Sequence, residues 1–106
     1  PGRILLTLIF FFAKSIANGR SGDLLVCIST GGGDLESKAS MNIVYAAVEA
    51  KKLGMEIISL IGKGGGELKK ISDIDIHIPS NKTSFIQEAH MSILHCVCEI
   101  LDKMEG

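Results

Sequence analysis

Hydroxyls and glycines crowd together at Ser29-Thr30-Gly31-Gly32-Gly33, directly after the apolar run Leu24-Leu25-Val26-Cys27-Ile28. A turn of this kind, leaving a strand and opening toward a helix, offers hydroxyl donors, backbone amides and a helix dipole to an anion. An ordinary turn has the same composition, so the loop alone carries little specificity. The chain contains neither G-x-G-x-x-G nor the Lys-Ser/Thr of a phosphate-binding loop, which leaves nucleotide binding unsupported. Imidazole suits proton transfer near neutral pH, and the chain has His77, His90 and His95. His77 alternates with isoleucines and reads as a solvated group on the polar face of a strand. His90 and His95, five residues apart, lie about 140° apart around a helix, so His90 reads as structural. Cys27, Cys96 and Cys98 include no C-x-x-C pair and fit no zinc pattern; they read as reduced, buried thiols, with Cys96 and Cys98 in a core or interface.

The elements that must position these groups follow from periodicity. Leu24 to Ile28 is apolar without alternation, as in a strand buried on both faces. From about Lys38 to Leu53 apolar residues recur at helical spacing (Met41, Val44, Tyr45, Val48), and Gly54 stops the helix. Ile57 to Ile61 reads as a second strand, the glycine turn 62–66 follows, and Glu67 to Ile71 suits a short helix. Ile74, Ile76 and Ile78 alternate with Asp75 and His77, as in a strand near an edge, and Pro79 ends it. Ser84 to Met104 reads as a long helix with Ile86, Ile93, Leu94, Val97, Ile100 and Leu101 on its apolar side. The N-terminal run Ile4 to Ala13 has half of the ~20 apolar residues needed to span a bilayer and reads as a buried helix or subunit contact. Strands separated by helices predict right-handed crossovers and a parallel α/β sheet, here of three strands.

Composition limits the function. The 106 residues, 46% hydrophobic with a formal net charge of −1, make one small domain and exclude a bulk electrostatic nucleic-acid binder. Five aromatic residues, none of them Trp, do not make a base-stacking platform. A mean hydropathy of +0.34 is high for so short a chain and predicts a partial fold or a homo-oligomer. No membrane span or targeting segment is read, and reduced thiols suggest the cytoplasm.

Several stretches resemble the sugar isomerase (SIS) domain, and within it the phosphoheptose isomerases. They are Gly22 to Thr30, Ser40 to Ala47, Lys52 to Met55, Gly62 to Leu68, Asp73 to Ile76, and Ile86-Gln87-Glu88-Ala89-His90 with His95. Order and spacing agree from about Phe11 to the C-terminus, and the Ile-Gln-Glu-x-His segment with its second histidine is the most specific part. The resemblance implies a flavodoxin-like three-layer αβα sandwich with a parallel sheet. Residues 1–106 are then a single SIS-type domain, partial because the family's N-terminal part is absent, with residues 1–10 unmatched. It also implies isomerisation of sedoheptulose 7-phosphate to D-glycero-D-manno-heptose 7-phosphate through an enediol. The phosphate would be held by Ser29, Thr30 and Ser40. Gln87 and His95 would serve substrate and zinc, with His95 the catalytic proton carrier.

Two departures accompany the resemblance. Residues 31–39 make the first loop about six residues too long, and Phe85 stands where the family has an arginine. The family's first half carries a further glycine-serine loop, a His and a Glu, so the chain alone is expected to be inactive and to hold zinc weakly or not at all. Because Gln87 and His95 stand eight residues apart, about 12 Å and ~80° along one helix, a site shared between subunits of a homo-oligomer, a dimer or the family's tetramer, is also expected. The alternative is a non-catalytic SIS protein that binds a sugar phosphate or a protein of the replication-initiator type.

Overall fold

A computed structural model of the chain describes residues 4–7, 21–38 and 41–105. Its strands β1 (Ile4–Thr7), β2 (Leu24–Ile28), β3 (Glu56–Gly62) and β4 (Ile74–Ile78) form one parallel sheet in that spatial order. Its helices are α1 (Met41–Lys52), α2 (Gly66–Ile71) and α3 (Thr83–Glu105). The two successive crossovers β2–α1–β3 and β3–α2–β4 run in one direction, and α1 and α2 lie on the same face, sharing one buried cluster.

Strand alternation divides the core between the two faces. Leu25, Cys27, Ile57 and Ile61 join Met41, Ile43, Val44, Ala46, Ala47 and Ala50 of α1 and Leu68 of α2 in one buried cluster. On the other face Ile86 of α3 sits directly over Gly62, where a Cβ would lie only 2.6–2.8 Å from its carbons. Helices therefore cover both faces, and the architecture is the expected three-layer α/β sandwich.

Several expectations need correction. Ile4–Thr7 is a strand, not a helix: Ile4 to Thr7 pair with Leu24 to Cys27, adding a fourth strand to the expected three. A short unbroken apolar run looks alike in a buried strand and a buried helix, and here the edge of β2 takes it up. The rest of that run, residues 8–13, lies outside the described residues. The buried stripe of α1 runs through Ile43, Ala47 and Ala50, while Tyr45 (57% exposed) and Val48 (37%) face outward. Cys96 and Cys98 are exposed rather than buried, because beyond Leu94 no described residue of α3 is covered by the sheet. β4 is an edge strand, as its alternation predicts, but Ile74 (55%) and Ile76 (37%) are themselves exposed.

Candidate functional site

In open parallel sheets, ligands collect where loops leave the carboxyl ends of the strands. Ser29 prolongs β2 by one rung, its backbone N–H donating to the Leu60 carbonyl at 2.9 Å. Its buried Oγ accepts the Gly32 N–H at 3.0 Å, closing the turn. Thr30, half-buried, follows it. The glycine loop then docks on the start of α2: the N–H groups of Glu67 and Leu68 donate to the Gly33 and Gly32 carbonyls at 3.0 and 2.8 Å. A Cβ on Gly32 would collide with the Gly65 carbonyl, and one on Gly66 with the carbonyls of Gly31 and Gly33. Both glycines have positive φ, 72° and 58°. Only glycine permits this clasp. The amides of Gly32, Glu67 and Leu68 are spent within it, so an anion here would rely on the hydroxyls rather than on those three amides.

The clasp walls an open cleft of about 530 Å³, whose charged lining is Asp34, Glu36, Glu67 and Lys70. The Asp34 carboxylate accepts the Glu36 N–H and the Ser37 hydroxyl, each at 3.0 Å. These bonds, the backbone one foremost, hold its pKa below the ordinary carboxylate value. Asp34 thus shapes the long loop as an anion and is unsuited to touching phosphate. Lys70 Nζ pairs with Glu67 at 2.6 Å. Glu67 and Lys70 were not singled out from sequence. Their signal is the glycine run that starts a helix, since it places positions three apart on one face of the cleft.

α3 carries the other candidates. Its start lies beside the carboxyl edge, with Ile86 over Gly62 and the Lys63 N–H donating to the Ser80 carbonyl at 2.9 Å. Gln87 is exposed next to that edge, and His95, also exposed, lies about 12 Å farther along and about 80° around the helix. His90 is buried, 2% exposed, and so faces away from His95 as expected. Ser29 and Thr30 are adjacent at the end of β2, while Ser40 lies outside the described residues.

His77 is not simply solvated. Its Nε2 donates to the Lys63 carbonyl at 2.6 Å and its Nδ1 accepts from Lys69 Nζ at 3.0 Å, the tautomer being set by these partners. It ties β4 to the β3–α2 turn. Burial pushes the Cys27 thiol up to about 12, against a weaker lowering by its hydrogen bond with Ser59, so it is no nucleophile. Among the described residues no three His, Cys, Asp or Glu side chains gather to hold a metal ion. No helix among the described residues is long and apolar enough to cross a membrane.

No protein-family model matches the chain. It is 42% identical over 85 residues to a phosphoheptose isomerase of Akkermansia muciniphila, covering 80% of this chain and 42% of that protein. A phosphoheptose isomerase of Coxiella burnetii is 42% identical over 96 residues, covering 87% of this chain and 45% of its own. A solved phosphoheptose isomerase from Francisella tularensis superposes with a TM-score of 0.76 at 40% identity, over 87% of this chain and 47% of that one. The chain thus spans somewhat less than half the length of the relatives it matches. By sequence and fold alike, it is a homologue of the phosphoheptose isomerases over that part of them.

Proposed function

We propose that the chain binds a seven-carbon sugar phosphate and takes part in converting sedoheptulose 7-phosphate to D-glycero-D-manno-heptose 7-phosphate. The observation that carries this reading is the identity of about 40% to phosphoheptose isomerases across 80–87% of the chain. Ser29 and Thr30, with Ser40, hold the phosphate through hydroxyl donors, and Gln87 hydrogen-bonds the sugar. The reaction removes a proton from C1 of the ketose, passes through the 1,2-enediol and returns a proton to C2, while the O1 hydroxyl proton moves to O2. His95 is the group proposed to move the carbon-bound proton.

Gln87 and His95 point in different directions about 12 Å apart on one helix. We place them in one site by taking Gln87 from one subunit and His95 from its neighbour in a homo-oligomer. The exposed Phe85, Met91 and Ile100 of α3 support such an assembly. With two donors from the described residues, zinc is expected to bind weakly. Three free thiols suit a cytoplasmic setting.

Thermal-shift titrations of the chain with sedoheptulose 7-phosphate and with sedoheptulose, run beside an isomerisation assay in D2O on a version that also carries the family's first half, test the proposal. The phosphate alone should raise Tm, and the aldose formed should carry deuterium at C2. Equal shifts with both sugars, or none, would defeat the phosphate assignment. Selective binding without turnover would favour the non-catalytic alternative.

A further inference from the structure

We infer that His90 is a positioning residue: its buried hydrogen bond to the carbonyl of Ile61 fixes the rotation of α3 and thereby the directions of Gln87 and His95. His90 is 2% exposed, and its Nε2 lies 2.9 Å from the Ile61 carbonyl oxygen. A carbonyl only accepts, so Nε2 carries the hydrogen and Nδ1 is the bare nitrogen. That buried Nδ1 has no hydrogen-bond partner among the described residues.

A buried orphan acceptor is costly, and leucine would fill the same space without one. What leucine lacks is direction. α3 has few anchors: Ile86 and His90 are its only fully buried residues among those described, and Ile93 and Leu94 are half-buried. Ile86 packs on Gly62 and sets where α3 sits along β3, but an apolar contact tolerates rotation. The imidazole bond to the neighbouring residue of β3 removes that freedom. Gln87 is three residues before His90 and His95 five after, so a rotation about the helix axis would swing both away from their working directions. Only the catalytic consequence rests on the isomerase reading; the placement does not.

The test compares His90→Leu, which loses the donor, with His90→Gln, whose amide can still reach the Ile61 carbonyl. NMR of the full chain reads the Gln87 carboxamide and His95 ring signals whether or not the protein turns over. His90→Leu should displace both signals, and His90→Gln should restore them. In the isomerisation assay His90→Leu should lower kcat about 10- to 100-fold, as misplacement near 1 Å does, with KM changed little. His90→Gln should keep most of the wild-type kcat. A folded His90→Leu with both signals at their wild-type positions overturns the inference, as does a folded His90→Gln with both displaced. Where His90→Leu does not fold, His90→Phe replaces it under the same criteria, and if neither folds the His90→Gln spectrum decides. A wild type that neither binds nor converts the sugar phosphate would sink the isomerase reading, and the NMR comparison would still decide the role of His90.

Discussion

The two faces of the sheet are built to different standards. The face under α1 and α2 holds the contiguous core, with Leu25, Ile43, Ala47, Ile57, Ile61 and Leu68 fully buried. The face under α3 is pinned by Ile86 and His90, and leaves Phe85, Met91, Val97 and Ile100 exposed. The closed face holds the fold and the glycine clasp, while the open face presents Gln87 and His95. Stability should therefore answer to the first and function to the second.

Deleting core volume should show the largest effect. Ile57→Ala should cost about 2–5 kcal/mol, the range for large-to-small changes in a packed core. Met104→Ala at the far end of α3, 77% exposed and outside the proposed subunit contact, should stay within about 0.5 kcal/mol. Urea unfolding of the two variants measures both, and equal losses would erase the distinction between the faces.

The clasp comes next. Ser29→Ala strips the buried Gly32 N–H of its acceptor and should cost about 1–3 kcal/mol. It should also weaken sugar-phosphate binding in a thermal-shift titration. Gln87→Ala and His95→Ala should leave the urea midpoint unchanged, and in an otherwise complete version of the enzyme each should lower activity. Mixed oligomers of those two variants should recover part of it if the site is shared between subunits. No recovery despite proven subunit exchange would place both residues in one subunit's site.

Cys27 gives a pH signature of the closed face. Burial pushes its thiol up to about 12 when folded, against an ordinary value of 9.0. The native state therefore holds its proton more tightly, so this contribution to stability is complete below about pH 9 and declines as pH rises toward 12. Cys27→Ala should flatten that part of the pH–stability curve. In thiol labelling at pH 8, Cys96 and Cys98 should react promptly and Cys27 only after unfolding.

Most of the closed face was legible because its signals are local. The run Leu24 to Ile28 and the alternation Ile74 to Ile78 mark β2 and β4 at their observed bounds, and the Gly54 stop falls just beyond α1. β1 escaped because three apolar residues and a threonine carry no period of their own, and only pairing with β2 decides between strand and helix. The stripe of α1 was misjudged because Tyr45 and Val48 are apolar by type, while the alanines that meet the sheet look neutral. Ser29, Thr30, Gln87 and His95 were singled out by resemblance, and the structure sets the first two at the end of β2 and the other two on α3. The docking of Gly32 and Gly33 on Glu67 and Leu68 was not legible, since those residues lie more than 30 positions apart in sequence.

A sugar phosphate is proposed to bind at the carboxyl edge, between the buried Ser29 and half-buried Thr30 that follow β2 and the start of α3. Backbone amide NMR during titration with sedoheptulose 7-phosphate tests it most directly. The signals of Ser29, Thr30 and Gln87 should move in a saturable way, and neutral sedoheptulose at the same concentration should leave them in place. Shifts confined to other parts of the chain, or identical shifts with the neutral sugar, would contradict the account.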